Sequence, residues 1–172
     1  MDICNSVFDG NTGEYGGALR LLNGTVNIDG STFIRNQATY GGAIYSNIVL
    51  TLTNSNLTSN TANYGGALYI NNKKVIMSDL RFENNYAYSG AAIYFNTTNE
   101  ITFKNLSFIS NTVRDNAIVY FTNSANVYND EYVRFTNNNL GSGLLNTFVA
   151  NNGKINATVF YVAKDATGTG LT

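Results

Sequence analysis

The fold is decided by residues 33–44, which read FIRNQATYGGAI, and by near copies at residues 8–19 (FDGNTGEYGGAL) and 57–68 (LTSNTANYGGAL). Each copy begins with a large apolar residue and places an Asn three residues later. Each ends in a Gly pair, an Ala and an aliphatic residue. Two patterns that keep the same phase over several copies indicate a repeat protein.

More divergent copies continue the series. The apolar-x-x-Asn pattern recurs at residues 82–85 and 108–111, with a weaker copy at residues 135–138. Residues 90–93 (GAAI) are a divergent copy of the Gly-Gly-Ala pattern, and residues 115–118 (DNAI) are a more divergent one. Successive leading residues lie 25, 24, 25, 26 and 27 positions apart. The spacing predicts about six imperfect repeats of ~25 residues.

Short apolar alternations lie between these motifs at matching places, as with Val26 and Ile28 or Leu50 and Leu52. A period of two is typical of a strand with one buried face, and no segment sustains the 3.6-residue period of a helix. One repeat cannot bury its apolar face alone, so successive repeats must stack. The sequence therefore predicts an all-β fold, a parallel β-helix of about six coils with three short strands per coil.

Each repeated residue can be given a structural role. The Gly pair predicts a corner whose φ values a Cβ would resist. The leading apolar residues and the aliphatic residues after the Ala are expected to form buried columns. The repeated Asn residues are expected to stack their amides from coil to coil. Cys4 is the only cysteine, and its place on a strand predicts a buried structural thiol.

Composition excludes several classes of function. Charged residues make up 12% of the chain, the net charge is −1, and His is absent. With no basic stripe we expect no nucleic-acid partner, and with no apolar run of about 18 residues we expect no membrane insertion by this segment. Aligning the carboxylates by repeat phase gives no acidic column, and the adjacent Asp130 and Glu131 point to opposite faces. We predict no enzyme activity and no catalytic, cofactor-binding or metal residues.

The paired motifs resemble the Gly-Gly-Ala-Ile and Phe-x-x-Asn repeats of polymorphic outer membrane proteins. They resemble still more closely the Asn/Thr-rich, adhesin-like surface proteins of methanogenic archaea. The resemblance covers roughly residues 5 to 140. It implies a right-handed parallel β-helix of the pectin-lyase type, a secreted chain displayed on the cell surface, and attachment to other cells.

The domain organisation follows from the repeat. Residues 1–147 are predicted to form the β-helix repeats, and residues 148–172 a capping strand or a junction to a following domain. The chain starts in mid-repeat, so we expect a fragment of a longer helix without its N-terminal cap. The exposed edge of the first coil then predicts end-to-end self-association of the isolated fragment.

Alternation predicts one row of outward residues after the Gly-Gly-Ala motif. Its members are Arg20, Tyr45, Tyr69, Tyr94 and Val119. Tyr45, Tyr69 and Tyr94 would form a ladder of rings on one face, a candidate ligand-binding surface, and Tyr15, Tyr40 and Tyr64 a second short column at the corner. Such rings can bind a sugar or the flat surface of a partner protein, or their role can be limited to stabilising the stacked coils. The residues alone leave both alternatives open.

Five Asn-x-Ser/Thr acceptors are candidates for glycosylation in an extracellular chain. They are Asn23, Asn56, Asn96, Asn105 and Asn156. The leading hypothesis is an adhesin-like segment that binds glycans or proteins on other cells. The alternatives are a purely structural stalk or spacer and, last, a degenerate polysaccharide lyase or hydrolase.

Overall fold

The computed structural model describes residues 1–71, 73–123, 125–129, 133–140, 148–150 and 155–156. These residues form about five turns of a parallel β-helix, which confirms the predicted fold class. Each strand pairs in parallel with its counterparts in the neighbouring coils, and the described residues contain no helix. None of them therefore forms a helix that could cross a membrane. The sixth predicted repeat lies partly outside the described residues.

The largest sheet has eleven strands and runs along the whole stack. Its first column of strands comprises Asp2–Cys4 (β1), Thr25–Asp29 (β4), Val49–Thr53 (β7), Val75–Glu83 (β11), Ile101–Ile109 (β14), Ala125–Asn129 (β17) and Ile155–Asn156 (β21). Its second column comprises Val7–Asp9 (β2), Thr32–Ile34 (β5), Asn56–Thr58 (β8) and Val133–Thr136 (β18). The long strands β11 and β14 belong to both columns.

Two smaller sheets complete each coil. The second sheet comprises Thr61–Tyr64 (β9), Tyr86–Ser89 (β12), Thr112–Val113 (β15) and Asn139–Leu140 (β19). The third sheet comprises Leu19–Leu21 (β3), Ile44–Ser46 (β6), Leu68–Asn71 (β10), Ile93–Asn96 (β13), Val119–Phe121 (β16) and Phe148–Ala150 (β20). Strands β20 and β21 pair with β16 and β17. Residues 157–172 lie outside the described residues, so the predicted junction at 148–172 stays a prediction.

Three rows of left-handed residues bend the coils. The first row lies between the two columns of the large sheet, and the third coil, where these columns are separate strands, has four strands (β7–β10) rather than the predicted three. The members of the first row are Asn5, Gly30, Asn54, Asp79 and Asn105, all with φ between +48° and +60°. A second row follows the large sheet, and the first residues of the Gly pairs form a third, with φ from +64° to +68°. Asn, Asp and Gly tolerate this region best, which accounts for the first and third rows. The second row also contains Arg35, Ser59 and Ser110, whose residue types do not explain their conformation.

The apolar columns predicted from the repeat form one continuous core. The leading aromatic residues stack directly, with ring centroids 5.0 Å apart between Phe82 and Phe108 and 4.7 Å apart between Phe108 and Phe135. The aliphatic residues that follow the Gly-Gly-Ala motif pair in register, as Ile44 does with Leu68. Each coil thus buries its apolar face against its neighbours, as the repeat requires.

The predicted Asn ladder is present and runs through six coils. Its members are Asn11, Asn36, Asn60, Asn85, Asn111 and Asn138. The Asn60 Nδ2 group donates to Oδ1 of Asn85 and to the carbonyl of Phe33, both at 3.0 Å. The Asn60 Oδ1 atom accepts from the backbone N–H and from Nδ2 of Asn36, also at 3.0 Å. Every hydrogen-bonding group of this buried amide is therefore satisfied.

The Gly pair needs glycine for two different reasons. Its first residue has a positive φ, as predicted. The second residue, such as Gly42, has no such φ, but a Cβ there would lie 2.7 Å from the carbonyl oxygen of Thr61 and closer still to that of Gly66. Both oxygens belong to the following coil. The second glycine therefore allows close approach of two backbones, which the sequence pattern did not reveal.

The structure corrects the prediction for Cys4. The thiol is exposed, because Ile3 is the residue of β1 that packs towards the core. Cys4 pairs with the exposed Asp29 on the outer side of the sheet. A strand position was predicted from the repeat, but the face of that strand was assigned wrongly.

The fifth repeat corrects one alignment. Val119 pairs with Ile93, and Tyr120 pairs with Tyr94, so Ile118 is not the counterpart of Ile93. The outward position predicted for Val119 belongs to Tyr120. Ile93 and Val119 each follow the leading Phe of their coil by eleven positions. In the fifth coil the Ala-Ile of the divergent motif lies one position earlier than this spacing requires.

Candidate functional site

Seven tyrosines form two adjacent columns along one side of the stack. The sheet column lies on the third sheet and contains Tyr45, Tyr69, Tyr94 and Tyr120. The corner column contains Tyr15, Tyr40 and Tyr64, each directly before a left-handed Gly. The structure thus brings the predicted ladder residues Tyr45, Tyr69 and Tyr94 together and adds Tyr120 to them.

Rings within each column stack face to face, except that the buried Tyr120 is tilted by 42° against Tyr94 at 5.2 Å. The centroids of Tyr45 and Tyr69 are 5.4 Å apart and those of Tyr69 and Tyr94 5.0 Å apart, with interplanar angles of 14° and 8°. Tyr40 stacks on Tyr64 at 5.4 Å with an angle of 13°. Parallel strands at a regular spacing dictate this arrangement, because identical side chains in register lie directly above one another.

The two columns also contact each other edge to face. Tyr40 meets Tyr69 of the next coil at 5.4 Å and 85°, and Tyr64 meets Tyr94 at 5.4 Å and 78°. The ring faces of the sheet column are therefore turned towards other tyrosines, and Tyr45, Tyr69 and Tyr94 are only half-exposed. What they present to solvent is chiefly ring edges and hydroxyl groups.

Polar groups flank the sheet column on the side away from the corner. The amide of Asn71 donates to the Tyr45 hydroxyl at 3.3 Å, and Asn96 hydrogen-bonds the Tyr69 hydroxyl. Asn96 also donates to Oδ1 of Asn71 at 2.9 Å and accepts from the Thr122 hydroxyl. A second, shorter amide ladder thus fixes the tyrosine hydroxyls.

The first coil replaces the tyrosine of the sheet column with a cation. Arg20 pairs in register with Tyr45, and its guanidinium carbon lies 4.8 Å from the ring centroid of Tyr15. This is the geometry of a cation–π contact, worth about 0.5–1 kcal/mol at an exposed site. Arg20 therefore adds a cation to the Tyr15 ring, which Tyr45 of the next coil also meets edge to face at 5.2 Å.

Burial changes the acidity of the sheet column. It raises the pKa of Tyr69 to about 12, with smaller contributions from the phenols of Tyr45 and Tyr40. Burial likewise raises the pKa of Tyr94, and the neighbouring Tyr69 adds to the effect. Both phenols are thus held neutral in the folded chain well above their ordinary value of about 10.

We expect the β-helix to lose stability as pH rises from about 10 to about 12. In this range the unfolded chain releases protons from Tyr69 and Tyr94 that the folded chain still holds, so ionisation favours unfolding. The melting temperature should fall across this window. The phenolate absorbance of the folded chain should appear at a higher pH than that of free tyrosine. In the double variant Tyr69→Phe/Tyr94→Phe both effects should shrink. A melting temperature that is flat from pH 10 to 12 would contradict the assignment.

A further aromatic group was missed from the sequence. Tyr86 and Tyr88 on β12 are 37% and 38% exposed, and Tyr64 is 38% exposed. We call Tyr86 and Tyr88, which share one face of β12, the tyrosine patch. The rings of Tyr86 and Tyr88 lie 6.3 Å apart at 65°, and the Arg114 guanidinium carbon lies 4.9 Å from the Tyr88 ring centroid. The signal was present, since an inward Ala87 between two tyrosines puts both rings on the outer face.

Two of the described acidic residues have a lowered pKa. Hydrogen bonds from Thr53 and then Asn54 lower the pKa of Asp29, and bonds from Ser78 and Asn105 lower the pKa of Asp79. A general acid needs a raised pKa instead. Among the described residues no three acidic or Cys side chains cluster as metal ligands would. The absence of enzyme activity and of cofactors stays a prediction.

The candidate glycosylation sites differ in accessibility. Asn23, Asn56 and Asn105 are exposed, although the Asn105 amide donates to Asp79 at 2.9 Å. Asn96 is half-buried and its amide is held in the short ladder. The side chain of Asn156 lies outside the described part of the structure.

If the folded chain is offered to an oligosaccharyltransferase, Asn23 and Asn56 should be modified and Asn96 should not. The Asn96 amide nitrogen already donates to Asn71, and modification would require breaking the short ladder. Site occupancy can be measured by peptide mass spectrometry after glycan release. An Asn96 site filled as fully as Asn56 would show that the short ladder does not protect it.

Comparison with known proteins identifies one repeat family. The Chlamydia polymorphic membrane protein repeat matches residues 30–47 and 79–96. These ranges contain the Phe-x-x-Asn and Gly-Gly-Ala or Gly-Ala-Ala motifs of the second and fourth coils. No curated protein and no solved structure matches the chain. The resemblance to archaeal surface proteins and to the pectin-lyase fold therefore stays a prediction. This chain is a parallel β-helix that carries repeats similar to those of polymorphic membrane proteins.

Proposed function

We propose that this chain is a surface-displayed repeat module whose side wall binds glycans or proteins on other cells. The matched repeats are those of a membrane-protein family, which supports an extracellular location at the cell surface. The β-helix supports it further, because a stack of similar coils presents the same outward positions many times along one axis.

The observation that carries the proposal is the continuity of the repeated side wall. Outward positions stay in register through the stack, as the pairing of Tyr45, Tyr69 and Tyr94 shows. An elongated ligand could therefore contact several coils at once, and weak individual contacts would add up. A pocket-based function would instead need a concave site that breaks this regularity.

A structural spacer is the second candidate function. The stacked tyrosines and the Asn ladder favour it, since both sets of contacts stabilise the rod without any ligand. The tyrosine ladder Tyr45, Tyr69 and Tyr94 fits this role well, because its ring faces are already occupied.

A binding experiment separates the two candidates. The purified folded chain is applied to a glycan array and to intact cells, with a heat-unfolded sample as control. An adhesin-like module should show saturable binding that unfolding abolishes. Folded protein that binds neither any glycan nor any cell would leave the spacer as the function.

A further inference from the structure

We propose that the tyrosine patch of Tyr86 and Tyr88 is the carbohydrate-binding site of this chain and that it takes an uncharged sugar chain. The inference rests on the proposed function and narrows it to one site and one class of ligand. It also moves the binding role from the predicted ladder Tyr45, Tyr69 and Tyr94 to a different set of rings.

The patch differs from the two tyrosine columns in what its rings present. A sugar ring binds to an aromatic side chain by packing its C–H groups against the flat face. In the sheet column each ring face meets another tyrosine. Tyr86 and Tyr88 are instead 37% and 38% exposed, more than any tyrosine of the sheet column.

The strand register explains why the patch faces are open. Tyr86 pairs with Thr61 in the preceding coil and with Thr112 in the following one, so no ring covers it from either side. The repeat has thus lost its aromatic partners at this point of the stack. Tyr64 is not part of the patch, because it stacks on Tyr40 and meets Tyr94 of the next coil edge to face.

The neighbours of the patch indicate the chemistry of the ligand. Thr61 and Thr112 flank Tyr86, and Asn63 lies beside Tyr88, between the paired residues Ala62–Ala87 and Tyr64–Ser89. Hydroxyl and amide groups can exchange hydrogen bonds with sugar hydroxyls in either direction.

Charge at the patch is balanced. Arg114 covers one face of Tyr88, and Asp115 lies 3.8 Å from the Arg114 guanidinium. Because the two charges offset each other, the patch has no net attraction for a uronate or a sulfated sugar. Open ring faces among neutral hydrogen-bonding groups fit an uncharged hexose or pentose chain.

The chain supplies its own conservative test variant. Tyr86→Thr and Tyr88→Asn together install the residue types that the preceding coil has at the same positions, Thr61 and Asn63. The fold should therefore be retained, which circular dichroism and the melting temperature can verify. The matched control is Tyr45→Phe/Tyr69→Phe, which removes two hydroxyls from the sheet column and keeps its stacked rings.

Binding is measured by tyrosine fluorescence and calorimetry, since the chain has no Trp. The probes are cellohexaose, xylohexaose, mannohexaose and chitohexaose, with an oligogalacturonate as the anionic probe. We expect at least one neutral probe to bind the wild-type chain and the patch variant to weaken it at least tenfold, while the control variant binds within about twofold of wild type.

The outcomes are distinguishable. Neutral-sugar binding that survives the patch variant, or that the control variant abolishes, overturns the assigned site and leaves the proposed function intact. Binding of the oligogalacturonate alone overturns the ligand class. Binding to cells with no binding of any sugar also overturns the inference but not the proposed function. No binding of any kind overturns both.

Discussion

Replacing Asn60 with Ala should destabilise the chain by about 4 kcal/mol, far more than any exposed substitution. The four hydrogen bonds of the Asn60 amide would be lost together. The buried backbone N–H of Asn36 would lose its acceptor, Nδ2 of Asn36 would keep only the carbonyl of Phe8, and Oδ1 of Asn85 would keep only the backbone N–H of Asn60. Each unpaired buried group costs about 1–3 kcal/mol, so the loss exceeds that of one average hydrogen bond.

The matched control is Asn11→Ala. Asn11 is an exposed member of the same ladder, and its amide donates to Oδ1 of Asn36 at 2.9 Å. Its backbone N–H, which also donates to that oxygen, survives the substitution. We expect a cost of about 1 kcal/mol. Urea denaturation of both variants gives the comparison, and equal losses would mean that the buried ladder contributes no more than an exposed amide.

Replacing Gly42 with Ala should cost about 3 kcal/mol or more, because the added methyl group cannot be accommodated without moving a coil. A Cβ at this position approaches two backbone oxygens of the third coil, not flexible side chains. The strand pairing between Ile44 and Leu68 depends on the same coil spacing. Strain at Gly42 would therefore spread into the third sheet.

Gly10→Ala is the control for glycine flexibility. Gly10 has φ +67°, but a Cβ there meets no atom within 4 Å. The left-handed conformation alone should cost about 1–2 kcal/mol. Gly10→Asn should cost less, since Asn84 has φ +53° at the same corner of a later coil. If thermal denaturation gave Gly42→Ala no larger a loss than Gly10→Ala, close coil approach would not be the reason for the second glycine.

The position of the Gly42 substitution within the stack matters. Ala91 occupies the equivalent position in the fourth coil, and the fifth coil that stacks on it no longer carries a Gly pair. The second coil has a Gly pair in both neighbours, so its spacing is fixed on both sides. The prediction therefore applies to Gly42, and not to every coil.

Much of the fold could be predicted because each structurally required residue recurs at the same position in several repeats. The Asn ladder, the apolar columns and the first glycine of each pair all follow from residue type and spacing. The alignment of Val119 was wrong because the motif residues of the fifth repeat have diverged, and only the spacing from the leading Phe is the same as in the fourth. The prediction that Cys4 is buried was wrong, because the sequence of one short strand at the start of the chain does not show which of its faces points inward.

The candidate site was harder to predict, because orientation matters there more than position. Sequence spacing placed Tyr45, Tyr69 and Tyr94 in one column correctly. Spacing could not show that stacking occupies their ring faces or that the corner column covers them from the side. Tyr86 and Tyr88 escaped attention because they have no aromatic counterparts in other coils, and that lack of counterparts is what leaves their faces open.

The Asn ladder gives the rod a direction. Every ladder amide points the same way, since the backbone N–H of each earlier Asn can only donate and so identifies Oδ1 of the next as the acceptor. One end of the row therefore offers acceptors and the other offers donors. Two copies of the chain could extend the row only head to tail, because joining like ends would set acceptor against acceptor. Contacts of this kind build polar filaments rather than closed symmetric pairs.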